Sequence, residues 1–300
     1  MQSQDERKGF LIFGGSGWLG GLLTAMLKEQ GEVVNLARAR LEDRAAIQRD
    51  LLQYKPKYVL NVAGMTGRPN VDWCEDNKQQ TTRVNVVGTV NLVDTCYLEG
   101  VHVTNYASGC IYEYDEQHTI GGQGFKEEDV PNYVGSFYSH TKVMAEKLLE
   151  VYPNVLTLRL RMPISDDLSP RNFVTKISKY ERVVNVPNSV SILHDLLPIS
   201  IDMTKKERKG VYNFTNPGAA SHNEVLALYK KPASFNPQYI KPDFEWKNFS
   251  IEEQAKILKA GRSNNTLDVS KLVAEYPDLP EVHTALDQMF QRMQKNLGLN

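Results

Sequence analysis

The chain has 300 residues, 35 basic and 36 acidic, with 41% hydrophobic residues and three cysteines. That length can bury a sizeable core as one large domain or two intimate ones. The even charge gives no reason to expect a nucleic-acid groove or an anionic membrane as partner. Cys74, Cys96 and Cys110 are too few and too scattered for a disulfide framework or a zinc cage, so no metal is expected. No apolar run is long enough to span a bilayer. The polar start, Met1-Gln-Ser-Gln-Asp-Glu-Arg-Lys8, lacks a signal-peptide core, so a cytoplasmic protein is expected.

In chain order, Phe10-Leu-Ile-Phe13 reads as a first strand, followed by a glycine turn and a helix to about Gln30 that Gly31 stops. Val33–Leu36 and Tyr58–Val62 are the second and third strands. Thr81–Leu98 is a long helix ended by Gly100, and Val101–Ala107 a fourth strand. Ser136–Tyr152 is the next helix and Val155–Leu160 the next strand. Short apolar runs alternating with amphipathic stretches predict an α/β fold, a Rossmann-type doubly wound parallel sheet over residues 1–163. After Arg161-Met-Pro163 the alternation fades, and Pro163, Pro170, Pro187, Pro198 and Pro217 punctuate shorter segments. Residues 164–300 are therefore expected to form mainly a smaller substrate-binding lobe, with some segments returning to the sheet. The polar, glycine-rich stretch Tyr114–Gly135 is expected to be a lid or binding loop. Lys230–Phe249, rich in proline and aromatics, is expected to be irregular.

Gly14-x-x-Gly17-x-x-Gly20 lies between a strand and a helix, where glycine allows a tight turn and close approach to a pyrophosphate. The turn contributes Gly14, Ser16, Gly17, Trp18, Leu19 and Gly20 as dinucleotide contacts. NAD-specific sites place an acid at the end of the second strand. Here that stretch is Asn35-Leu-Ala-Arg38-Ala-Arg40, with no acid before Glu42. Two arginines suit a 2′-phosphate, so NADPH is expected, with NADH the less favoured alternative.

Reducing a ketone requires a hydride on carbon and a proton on oxygen. Tyr138 is the only one of 14 tyrosines followed four residues later by a lysine, Lys142, one turn along a helix. A nearby ammonium is expected to lower the phenol pKa. Ser108, at the end of the fourth strand, can hold the substrate oxygen by a second hydrogen bond. Cys110 follows it by two residues, where a lone cysteine is ordinarily a small buried residue. Its place beside Ser108 makes it a catalytic candidate, while Cys74 and Cys96 are expected to be structural.

Together these residues resemble an extended short-chain dehydrogenase/reductase. More narrowly, the chain is similar to the plant-type bifunctional nucleotide-rhamnose synthases, 3,5-epimerase/4-reductases that make UDP- or dTDP-L-rhamnose. The likeness runs through Gly17–Gly21, Gly64–Glu75, Gly109–Ile111, Gly135–Ser139 and Leu160–Ser165. It continues in Pro170–Phe173, Leu196–Ser200, Tyr212–Gly218 and Arg262–Asn265, and so covers nearly the whole chain. It implies that Ser108, Tyr138 and Lys142 form the reductase triad, with serine where the plant enzymes carry threonine. It also implies that Cys110 and Lys176 serve the epimerisation, although Lys176 would otherwise read as an ordinary surface lysine. Ala63, Gly64 and Pro163 join Tyr138 and Lys142 as expected cofactor contacts. Expected substrate contacts are Arg68, Asn70, Ser108, Gly109, Cys110, Asn172, Arg262 and Asn264. Asn265, Arg171 and His194 are weaker candidates, and Asn85 is expected to position a water or the lysine.

The implied partner is a nucleotide sugar supplied by a separate 4,6-dehydratase, and a homodimer is the candidate assembly. The lengthened segment around Lys230–Lys241 departs from the family and leaves nucleotide-side contacts there open. Gly109 and Cys110 stand where a 4,6-dehydratase needs acids, which rejects that activity, and Arg38 and Arg40 disfavour a 4-epimerase with tightly held NAD. A 4-keto-sugar reductase without epimerase activity is the nearest rival. A non-catalytic NADP-binding regulatory subunit is the rival from another class.

Overall fold

The structure, a computed structural model, describes residues 7–230 and 244–298. Of the lengthened segment, all but Lys230 lies outside the described residues. The chain divides into two units. Of the described residues, the first unit comprises 7–111, 131–159 and 197–212; the second comprises 112–130, 160–196, 213–230 and 244–298.

The first unit carries β1 (Phe10–Phe13), α1 (Trp18–Glu29), β2 (Val34–Leu36), α2 (Arg44–Tyr54) and β3 (Tyr58–Asn61). Then come α3 (Asp72–Asp76), α4 (Lys78–Thr82), a π-helical turn over Arg83–Gly88, α5 (Thr89–Leu98) and β4 (His102–Ser108). The expected helix over Thr81–Leu98 is thus interrupted by a π turn. α6 (Phe137–Leu149) and β5 (Val155–Leu160) follow, and β7 (Gly210–Asn213) completes a six-stranded sheet in the order β2-β1-β3-β4-β5-β7. β1 pairs in parallel with β2 on one side (Phe10 opposite Val34) and β3 on the other (Phe10 opposite Tyr58). That reversal creates the switch point at which α/β sheets bind ligands. All four residues of β1 are buried, which explains a continuous apolar run where a half-exposed strand would alternate.

The helix that carries the tyrosine and lysine is held by a buried ion pair. Glu146 of α6 meets Arg159 of β5, with Arg159 Nη2 donating to Glu146 Oε1 at 2.5 Å and Nε at 3.1 Å. Such a pair adds little net stability but penalises any other register, because either charge alone would be stranded without water.

The second unit contains α7 (Phe173–Ile177), β6 (Arg182–Val183), α9 (His222–Lys230) and β8 (Lys247–Asn248), which pairs with β6. It continues with α10 (Ile251–Ala255), α11 (Ser270–Glu275) and α12 (Val282–Asn296). Val282, Ala285, Leu286, Met289, Phe290 and Met293 of α12 are buried, an i, i+3, i+4, i+7 stripe that packs into the core with Val225, Leu226 and Tyr229 of α9. Burying each of the larger apolar side chains contributes roughly 1.5–3 kcal/mol. α8 (Leu193–Lys205) begins in the second unit and ends in the first. Pro198, expected to punctuate a shorter segment, lies inside this helix. Proline removes one helical hydrogen bond there, yet burial of Leu196, Leu197, Ile201 and Met203 keeps the turns on either side helical.

Candidate active site

Gly14 leaves β1 with φ +81°, a region that only glycine enters freely. A Cβ there would lie 2.7 Å from the Ala63 backbone nitrogen, so the loops after β1 and β3 touch backbone to backbone. Gly17 N–H closes the turn on Gly14 O at 2.9 Å, and any Cβ on Gly20 would strike the same carbonyl. α1 then starts at Trp18 with no side-chain cap and no acid in its first turn. Its leading N–H groups and the positive end of its dipole therefore favour an anion. Ser16 is exposed on the turn, and Trp18 and Leu19 open the helix. A backbone-lined cradle of this kind fits a pyrophosphate. Arg38 and Arg40, just beyond β2, are exposed, and neither guanidinium has a carboxylate partner among the described residues.

The candidate reducing residues come from two local devices. Ser108 is the last, buried residue of β4, and its Oγ accepts the Cys110 N–H at 3.1 Å. Ser139 Oγ donates to the Cys110 carbonyl at 2.5 Å, so the Gly109–Cys110 turn is fixed at both ends. α6 begins with Ser136, whose Oγ accepts the Ser139 N–H at 3.1 Å, while Glu75 Oε1 accepts the Phe137 N–H at 2.7 Å. One residue later comes Tyr138, and one turn on is Lys142, its Nζ 5.8 Å from the Tyr138 ring centroid. A Cβ on Gly64 would lie 3.3 Å from Lys142 Nζ, so the loop after β3 forms the floor beside the ammonium. Asn85, on the π turn, fastens that floor. Its Oδ1 accepts Met65 N–H at 2.7 Å, and its Nδ2 donates to Met65 O at 2.9 Å and Thr141 Oγ1 at 3.1 Å.

Burial dominates the electrostatics. It drives the Lys142 ammonium down to about 8, opposed by nearby Cys74. It also raises the Tyr138 phenol, as does nearby Cys110, with the Ser108 hydroxyl pulling the other way. The expected lowering of Tyr138 by Lys142 is therefore not what this environment gives. A desolvated phenol holds its proton, and that is the state a proton donor needs. Cys74 is fully buried in α3 and its thiol is pushed up by burial, as is that of Cys96. Cys110 alone of the three thiols is partly exposed.

Arg68 is exposed in the loop before α3, and Asn70 Oδ1 accepts the Asp72 N–H at 2.8 Å to start that helix. In the second unit, Asn172 caps α7 through Val174 N–H (3.2 Å) and donates to Ser165 O (2.7 Å) and Asp167 O (2.6 Å). Pro163 O accepts the Phe173 N–H at 3.1 Å. Lys176 is half-buried, unlike a surface lysine, and burial with Arg171 nearby lowers its pKa. Asn264 Oδ1 accepts from Asn188 at 2.9 Å, and Arg262 Nη1 donates to Ala260 O at 2.6 Å. Asn172 and Asn264 thus have their side chains engaged within the unit.

Sequence reading gave no role to Glu75 or to the pair Asn61–Asn105, bonded at 2.9 Å across β3 and β4. Asn61 Oδ1 also accepts Ala63 N–H at 3.2 Å and so shapes the cofactor-side loop. The available signal was an asparagine at the end of an otherwise apolar strand, Tyr58-Val-Leu-Asn61.

The first unit thus has the sheet, phosphate cradle and serine–tyrosine–lysine arrangement of a Rossmann-type oxidoreductase. Within that class, the chain belongs to the family described as RmlD substrate binding domain, whose model matches residues 8–295. It is 55% identical over 279 residues to the bifunctional dTDP-4-dehydrorhamnose 3,5-epimerase/dTDP-4-dehydrorhamnose reductase of Arabidopsis thaliana, covering 92% of this chain and 90% of that protein. It is 54% identical over 279 residues to a trifunctional UDP-glucose 4,6-dehydratase/UDP-4-keto-6-deoxy-D-glucose 3,5-epimerase/UDP-4-keto-L-rhamnose-reductase of the same plant. That match covers 92% of this chain but 41% of the longer protein. Among solved structures, the L780 UDP-rhamnose synthase of Acanthamoeba polyphaga mimivirus superposes with a TM-score of 0.88 at 37% identity, covering 95% of this chain and 99% of that one.

Proposed function

We propose that this chain is a bifunctional 3,5-epimerase/4-reductase that converts UDP- or dTDP-4-keto-6-deoxyglucose to the L-rhamnose nucleotide with NADPH. The observation that carries the reading is Cys110, a partly exposed thiol two residues from Ser108 with its backbone fixed on both sides. A 4-keto group acidifies the hydrogens at C3 and C5, and inverting those centres needs a proton removed on one face and returned on the other. Cys110 and Lys176 are the acid–base pair in this reading, and the lowered pKa of Lys176 suits an amine that exchanges protons. Bound NADPH supplies the hydride to C4. Tyr138 delivers the proton to O4, Ser108 holds that oxygen, and Lys142 stabilises the phenolate left behind. Gly14, Gly17 and Gly20 cradle the pyrophosphate, and Arg38 and Arg40 take the 2′-phosphate. Arg68, Asn70 and Arg262 are the substrate-side contacts of this reading.

In this reading the substrate comes from a 4,6-dehydratase, and the trifunctional relative, whose name includes that activity, supports that order. Exposed apolar side chains on and beside α5 and α6 (Val87, Leu98, Met144, Leu148 and Val151) support a homodimer, which sedimentation would test. Among the described residues no helix is long and apolar enough to cross a membrane, and three free thiols support a reducing, cytoplasmic setting.

The test is NADPH consumption with each nucleotide sugar, alongside deuterium uptake at C3 and C5 from heavy water. Turnover with uptake is expected, and the preferred nucleotide identifies the base. Turnover without uptake leaves a reductase alone, and no turnover with either leaves a binding subunit. Cys110→Ala should abolish uptake; normal uptake in that variant would remove the thiol from the mechanism.

A further inference from the structure

The backbone that presents Arg38 and Arg40 is tied to other elements at nearly every step. Ala37 N–H donates to Ile12 O of β1 at 3.0 Å, and Leu41 O accepts from Asn91 Nδ2 of α5 at 3.3 Å. Between them, the N–H groups of Arg38 and Ala39 both donate to one oxygen, Asp50 Oδ2, at 2.8 Å each. Asp50 lies on the buried face of α2 with Ile47 and Leu51 and is only 6% exposed. An apolar side chain would be cheaper to bury at that position, because a carboxylate must give up its water. Two consecutive N–H groups converge on one oxygen only if the chain curls around it, so the carboxylate sets the curvature of this loop. Binding a phosphate then needs only the two side chains to be ordered, not the backbone beneath them.

We propose that Asp50 is a positioning residue for the cofactor's 2′-phosphate: by pinning the loop, it sets the preference for the phosphorylated over the unphosphorylated dinucleotide. This rests on the NADP(H) reading above. Its sign is opposite to bare electrostatics, in which removing a negative charge near a phosphate would tighten binding. If Asp50 acts through loop shape, removing it loosens binding, and only for ligands that carry the 2′-phosphate.

The experiment is calorimetric binding of 2′,5′-ADP and of 5′-ADP to the full chain, with KM for NADPH and NADH as a second readout. Wild type should bind 2′,5′-ADP at least tenfold more tightly. No preference there would sink the NADP reading itself. Asp50→Ala should weaken 2′,5′-ADP at least tenfold while 5′-ADP shifts by less than threefold, and the KM ratio should move with it. Asp50→Asn keeps an acceptor oxygen and should lose about threefold, which keeps the test available if the alanine variant does not fold. In an Arg38→Ala/Arg40→Ala background, either Asp50 substitution should have little further effect on 2′,5′-ADP. A clear wild-type preference combined with equal losses for both ligands, no loss, or tighter 2′,5′-ADP binding would overturn the role of Asp50 alone.

Discussion

The two units hold their candidate residues in different ways. In the first, Ser108, Cys110, Tyr138 and Lys142 are set by a strand end and one helix face, and the polar groups around them (Glu75, Asn85, Ser136 and Ser139) secure the backbone while leaving the reactive side chains to act. In the second, the amides of Asn172 and Asn264 are spent on internal hydrogen bonds, and Lys176 stands out by its half-buried amine. In the proposed reading, reductive chemistry is built from regular elements that any member of the class can share. In the same reading, sugar-side chemistry is built from loops and short helices whose polar residues must first hold themselves together.

That contrast can be broken, beginning where the effect is largest. Tyr138→Phe should lower NADPH turnover by about 10²- to 10⁴-fold, the range for losing a positioned proton donor. Exchange at C3 and C5 should continue, and its loss, measured in heavy water, would give the tyrosine a part in epimerisation. Glu146→Ala takes the carboxylate away from the buried Arg159 guanidinium and should destabilise the fold by about 3–5 kcal/mol in denaturant titrations. A loss below about 1 kcal/mol would mean that the pair does not hold α6.

Asn172→Ala removes the cap of α7 and should cost about 0.5–2 kcal/mol of stability with substrate KM nearly unchanged. A tenfold rise in KM at unchanged stability would support Asn172 as a substrate contact. The subtlest test is pH. Because Lys142 titrates near 8 in the folded protein, kcat/KM for reduction should fall above about pH 8 as the ammonium is lost. Its contribution to stability runs the other way. Below pH 8 both states carry the proton and the burial penalty is complete; between 8 and the unfolded value near 10.5 only the unfolded chain stays protonated, so stability rises. A limb near 10 instead would show that the ammonium is well solvated.

Much of this was legible in the sequence because it is local. An apolar run that ends in a glycine turn before a helix, Phe10–Gly20, specifies a strand and a phosphate cradle from neighbouring residues alone. A tyrosine and a lysine four apart share a helix face by periodicity. What escaped the sequence depends on residues that meet only after folding. The carboxylate of Glu75 reaches a backbone N–H 62 residues away, and Asn85 joins Met65 to Thr141 across separations of 20 and 56. The effect of Lys142 on Tyr138 was misjudged for the same reason, since spacing places a cation but says nothing about the water removed from around it.

The sequence by itself therefore determined the elements, the glycine turn, the candidate reacting groups and the family they resemble, all of them consequences of short-range pattern. Tertiary structure decided which polar residues serve the site and which serve the scaffold, how the loop of Arg38 and Arg40 is shaped by Asp50 twelve residues on, and where the lysine titrates. Those properties follow from desolvation and from hydrogen bonds between distant segments, which exist only once the chain has closed around them.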